Sequence, residues 1–151
     1  FKTTPEIAAK HGRSEIREGD VLLCVIRHLR TAVVPKGIDG ANLTQGTVRL
    51  RPARDIFAPY LAMYLLSPLA QQWMKAQYTG MSMPRINVSH ARVIPIALPP
   101  LSEQKRIVSK VTHLLSQVTR LESTLTRRES TRTQLLTAAI HAILNEESVD
   151  D

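Results

Sequence analysis

The sequence predicts an α+β fold: a small mixed α/β domain over residues 1–100, then one long coiled-coil α-helix over 101–147, then a disordered tail at 148–151. Three observations predict it. Short β-prone runs at Val21–Ile26, Thr31–Val34 and Thr47–Arg51 are separated by glycine and proline turn signals. Apolar residues between Phe57 and Tyr78 recur at helical spacing. From Ser102 to about Asn145 neither Gly nor Pro occurs, and apolar residues repeat in heptads.

Each element has a local reason. Thr4-Pro5-Glu6 is a helix start, with a hydroxyl cap, Pro at the first helical position and an acid in the first turn; Gly12 ends that helix. Gly19-Asp20 is a turn, and the continuous run Val21–Ile26 reads as a strand buried on both faces. Thr31–Val34 is a second strand, stopped by Pro35 and Gly37. Thr47–Arg51 alternates apolar and basic residues, which predicts one dry face and one cationic face. Ser67-Pro68 splits the helical stretch 57–78 in two, because the residue before Pro avoids the helical region. Tyr60, Leu61, Tyr64, Leu65 and Leu69 should line its buried face. Residues 80–92 read as a structured loop anchored by Ile86 and Val88, and Val93–Leu98 as a last strand closed by Pro99-Pro100. Ser102 is the expected cap of the long helix, with Glu103 at the positive end of its dipole.

The heptad positions are Ile107, Val111, Leu114, Val118, Leu121 and Leu125, resuming at Leu135 and Ala139 after a break at Arg128 and Arg132. A stripe this long cannot be covered by so small a domain, so these residues are expected to pair with a second long helix. The break reads as a polar interruption of the rod, with a docking site for an acidic partner as the alternative.

Composition narrows the function. The chain has 151 residues and a net charge of +7. Residues 1–100 hold 13 Lys and Arg against 6 Asp and Glu, whereas 101–151 hold seven of each, so the whole excess lies in the first two thirds. That division predicts an anionic partner for the domain and a protein partner for the helix. An aromatic content of 4% argues against a single-strand binder built on stacking platforms. The single cysteine, Cys24, excludes a disulfide framework and reads as a small core residue. No apolar run approaches a membrane span and no signal peptide is present, so the expected compartment is the cytoplasm. Phe1 in place of a methionine points to a piece of a longer chain.

Nucleotide-binding glycine loops, a nucleophile elbow and zinc-protease spacing are all missing, and the five histidines have no ligand spacing. Glu103-Gln104-Lys105 resembles the end of a metal-dependent nuclease site but opens a helix and has no acidic partner strand. The expectation is a non-catalytic chain with no cofactor and no metal.

The run Ile94-Pro95-Ile96-Ala97-Leu98-Pro99-Pro100-Leu101-Ser102-Glu103-Gln104-Lys105-Arg106-Ile107-Val108, followed by a heptad helix, resembles the DNA specificity subunit of type I restriction–modification enzymes. The order upstream agrees: Gly19-Asp20-Val21-Leu22-Leu23, then Asn42-Leu43 to Arg49-Leu50-Arg51-Pro52, then Pro59-Tyr60-Leu61, Leu65-Leu66-Ser67 and Gly80. The resemblance implies a target recognition domain, its N-terminal part lying before Phe1, that reads one half of a bipartite DNA target. It implies a spacer helix that packs antiparallel on a second one, from the same subunit or from a homodimer mate. It also implies docking to methyltransferase subunits, with restriction subunits joining the complex and all catalysis in those partners.

Candidates for DNA contact are Arg27, His28 and Arg30 on the turn after the first strand, and Gln45, Arg49 and Arg51 around the third. Ser82, Arg85 and Asn87 lie in the loop that follows the helices. Arg, Asn and Gln are the usual base readers, while Lys36 and Lys75 suit phosphates. Two other readings stay open: a coiled-coil assembly protein whose basic domain binds another anion or a protein, and a fragment of a single-chain restriction–methylation enzyme.

Overall fold

The computed structural model describes Thr4, Glu6, Ile7 and residues 11–147, with side chains through residue 139. Glu6 and Ile7 are helical and the Ile7 N–H donates to Thr4 Oγ1 at 3.4 Å, as a hydroxyl cap would. The rest of that expected helix, and the tail 148–151, lie outside the described residues. Where the described residues resume, Gly12 opens a 3-10 turn, Gly12–Ser14.

Three strands follow: β1 (Val21–Cys24), β2 (Thr31–Val33) and β3 (Thr47–Leu50). They form one antiparallel sheet in the order β2-β1-β3. Val21 faces Val33 and Leu50 at one end; at the other, Leu23 faces Thr31 and Cys24 faces Thr47. The turn into β1 is built by Gly19, whose φ of +80° fits the third position of a β-turn closed by Asp20 N–H to the Arg17 carbonyl.

β1 is shorter and less buried than its apolar run suggests. Val21 and Leu23 are fully buried while Leu22 and Cys24 are half-exposed. This is the alternation of an antiparallel strand with one covered face, not the double burial expected. Val25 and Ile26 leave the ladder: Val25 N–H donates to the Gly46 carbonyl, and the Val25 carbonyl accepts from Ile86.

Helices α1 (Ala58–Leu65) and α2 (Pro68–Ala76) supply the rest of the core. They separate at Ser67-Pro68 as expected, with Ser67 Oγ accepting from Ala70 N–H. Leu61, Leu65, Ala70 and Met74 pack with Val21, Leu23, Val25, Leu29, Ile86 and Ile94 in one cluster. Leu69 is exposed instead, because the new helix at Pro68 resets the buried face to Ala70 and Met74. In the loop that follows, Ile86 is buried as an anchor but Val88 is exposed, since it opens the short helix α3 (Val88–Ala91), whose buried residue is Ala91.

Residues 93–98 form no strand. Pro95 offers no N–H, and two carbonyls of the segment are taken by side chains of α1. Tyr60 Oη donates to the Ala97 carbonyl at 2.6 Å and Tyr64 Oη to that of Pro95 at 3.1 Å. The long helix α4 (Leu101–Glu147) starts earlier than Ser102. The Pro100 carbonyl accepts from Glu103 and Gln104 N–H, which puts Pro100 at the cap and Ser102 in the first turn. At 47 residues, α4 is about 70 Å long.

The chain divides into two units, Phe1–Val108 and Ser109–Asp151. In the second unit Leu114, Val118, Leu121, Leu125 and Leu135 are exposed, as is Ala139, and Val111 is half-buried. Ile107, in the first unit, is half-buried. In the polar stretch Thr124, Thr126, Thr131, Thr133 and Thr137 each donate their hydroxyl to the carbonyl four residues back, so these side chains bond within the helix. No helix among the described residues is long and apolar enough to cross a membrane.

Candidate nucleic-acid interface

Three segments meet at the end of the sheet where β1 finishes. The first is the turn 25–30, tied back by Cys24 N–H to the Arg30 carbonyl at 2.8 Å. The second is the approach to β3, tied by the Val25–Gly46 hydrogen bond at 2.9 Å. The third is the loop 79–86. Thr79 and Arg85 exchange backbone hydrogen bonds at 2.9 and 3.0 Å, so Gly80–Pro84 projects as a closed loop. That loop joins the first segment through Arg27 N–H to the Pro84 carbonyl and through a bridge between Ile26 and Arg85.

This end therefore collects Arg27, His28, Arg30, Gln45, Ser82 and Arg85, all exposed. Asn87, exposed at the start of α3, makes no side-chain capping bond. Lys75 is exposed in the last turn of α2, three residues before Tyr78, whose hydroxyl donates to the Arg27 carbonyl at 3.3 Å. Tyr78 is partly covered, and burial pushes its phenol pKa up. No Asp or Glu occurs between Asp20 and Asp39 or between Asp55 and Glu103, so these segments are free of acids except at their far ends.

The opposite end holds the other candidates. Arg51 clamps Asp20 with two hydrogen bonds of 2.8 Å. Asp20 is almost fully buried and also accepts from Arg17 N–H at 2.9 Å. The Arg51 hydrogen bond first, and the Arg17 N–H after it, hold the Asp20 carboxyl below its usual range against the opposing pull of burial. Arg49 is half-buried and donates to the Glu15 carbonyl. Lys36 lies 3.9 Å from Glu18. The structure thus separates the candidates into a cluster at one end and Lys36, Arg49 and Arg51, already engaged with the chain itself, towards the other.

Gln104 was not among the sequence candidates. It is fully buried, with Nε2 donating to the Asp55 and Pro99 carbonyls at 2.9 and 2.8 Å and Oε1 accepting from Phe57 N–H at 2.8 Å. Its amide ties the first turn of α4 to the lead into α1. The signal existed: stepping the heptad stripe back three residues from Ile107 lands on Gln104. Glu103 is paired to Arg106 by two bonds of 2.7 Å, which lower its pKa, so the nuclease-like triplet is spent on holding the helix. Among the described residues no cluster could hold a metal ion.

The described residues thus combine a three-stranded antiparallel sheet, one end of which is acid-poor and carries exposed Arg and Gln side chains, with a long helix that exposes an apolar stripe. Residues 18–128 match the family described as the type I restriction modification DNA specificity domain, and the chain belongs to that family. It is 27% identical over 115 residues to the type I restriction enzyme EcoBI specificity subunit of Escherichia coli, covering 75% of this chain and 24% of that protein. It also resembles the crystal structure of the HsdS subunit from Thermoanaerobacter tengcongensis, with a TM-score of 0.61 and 31% identity over 71% of this chain and 28% of that one. The chain thus spans about a quarter of the length of each relative.

Proposed function

We propose that this chain is a non-catalytic DNA-sequence recognition element of a type I restriction–modification complex. The observation that carries the reading is the acid-poor end of the sheet, where Arg27, His28, Arg30, Gln45 and Arg85 stand exposed on a turn and on the two segments hydrogen-bonded to it. Arginine and amide side chains on a braced scaffold suit the edges of bases, and Lys75 suits a neighbouring phosphate. Ser82 and Asn87 extend the same surface. In this reading the domain recognises one half of a bipartite duplex target, and methyltransferase and restriction subunits of the complex do the chemistry.

The exposed stripe of α4 gives the second half of the proposal. A helix of about 70 Å matches roughly two turns of duplex, so a pair of such helices can fix the distance between two reading domains. Leu114→Asp with Leu121→Asp in the full-length subunit should abolish helix pairing, read as a loss of the paired species by light scattering. An unchanged mass would contradict the spacer. The reading as a whole is tested by mapping methylated bases in a genome with and without the gene. A bipartite motif that vanishes with the gene supports it, and an identical methylation pattern overturns it.

A further inference from the structure

Among the described residues six have a positive φ; five are glycines, and the sixth is Arg27, at φ 60°. A residue with a long side chain avoids this region because its Cβ crowds the backbone, and it persists there only when its surroundings fix it. Here they do. His28 N–H donates to the Ile26 carbonyl at 2.6 Å, closing a γ-turn centred on Arg27. Arg27 N–H is held by the Pro84 carbonyl at 2.8 Å and its own carbonyl by the Tyr78 hydroxyl at 3.3 Å. Ile26 beside it packs so tightly on Gly46 that a Cβ there would lie 2.7 Å from Ile26 Cδ1.

The backbone of Arg27 is thus gripped from three segments, while its exposed guanidinium has no hydrogen bond or ion pair among the described residues. Glycine would occupy the position without strain, and glycine stands at each of the other positive-φ positions among the described residues. The side chain is what the strain serves. A phosphate contact needs only a cation on a flexible stem, whereas a locked backbone under a planar fork of donors suits a partner with two acceptors in fixed positions.

Resting on the DNA-reading function above, we propose that Arg27 is a specificity-determining residue that recognises one guanine of the target through the N7 and O6 acceptors on its major-groove edge. The test uses the full-length subunit assembled with its methyltransferase subunits, and reads the bases methylated in a genome together with the melting temperature. Arg27→Gly, which suits the turn, should keep or raise the melting temperature while the preference for guanine at one position of the motif falls about ten- to a hundredfold. Arg27→Gln should shift that same position towards adenine, which an amide fits. An unchanged motif would overturn the proposal. So would a uniform loss of methylation at all sites with the motif intact, which marks a phosphate contact, or a lowered melting temperature for Arg27→Gly. If the unmutated assembly shows no motif at all, the DNA-reading function fails first and the assignment of Arg27 with it.

Discussion

The two ends of the small sheet are built from similar residues and do opposite things with them. At the end where β1 begins, Arg51 is clamped on Asp20, Arg17 lies 3.4 Å from Glu15 and Lys36 lies 3.9 Å from Glu18. At the end where β1 finishes, Arg27, Arg30 and Arg85 take part in no ion pair among the described residues. The first arrangement spends its charges on the fold. The exposed pairs contribute about 0–1 kcal/mol each, and the buried carboxylate of Asp20 contributes more because it is hydrogen-bonded on both oxygens. The second arrangement leaves its charges to a partner and holds them in place through the backbone alone. A basic domain is therefore not basic everywhere in the same sense, and the count of cations matters less than where the acids lie.

Breaking the comparison should start with the unpaired end. Replacing Arg27, Arg30 and Arg85 together by Ala should lower affinity for the target duplex by more than about a hundredfold. The log–log salt slope should fall by about 0.9 for each phosphate that is no longer neutralised, measured by titration at several salt concentrations. Urea unfolding of the same variant should stay close to that of the unmutated protein, because no described ion pair is removed.

Gly46→Ala probes the backbone device beneath those side chains. A residue with a Cβ there is strained at φ +90° and meets Ile26 Cδ1 at 2.7 Å, so a loss of about 2–4 kcal/mol is expected in urea unfolding. An unaltered midpoint would mean that the Val25–Gly46 link does not brace the reading end.

At the paired end, Asp20→Ala should cost about 2 kcal/mol, since it orphans Arg17 N–H and frees a guanidinium that is already part-exposed. The smallest effect is its pH dependence. The folded Asp20 carboxyl titrates below its ordinary value, chiefly through the Arg51 hydrogen bond, so the unfolded chain takes up the proton first as pH falls. The stabilisation is complete above the unfolded pKa of about 3.9 and disappears as pH drops through the folded one. Asp20→Asn should flatten the stability profile in that acid window and leave its slope near neutral pH as it was.

Much of this layout was legible in the residues. Gly19-Asp20, the β-prone runs and Ser67-Pro68 mark where strands and helices change, because turn and cap chemistry is local. The turn carrying Arg27, His28 and Arg30 is legible only as the gap between two β-prone runs, since it holds no turn-forming residue of its own. What escaped depends on distant partners. Asp20 and Arg51 stand 31 residues apart, and nothing in either segment announces the other. The alternation in Thr47–Arg51 predicts a cationic face, but Arg49 and Arg51 turn out to be occupied by Glu15 and Asp20. Val93–Leu98 has the composition of a strand, yet its carbonyls bond the hydroxyls of Tyr60 and Tyr64, which a local pattern cannot show. Pro95 was the available warning. The left-handed φ of Arg27 had no signal at all, since only glycine or asparagine would have advertised it.

The most direct test of the division between the two ends is arginine protection. The full-length assembly is treated with an arginine-specific dicarbonyl reagent, with and without its target duplex, and each residue is scored by mass spectrometry. DNA should shield Arg27, Arg30 and Arg85, while the reactivity of Arg49 and Arg51 stays the same with or without it. Shielding of Arg51, with Arg27 and Arg85 still fully reactive, would place the duplex at the wrong end of the sheet and refute the division.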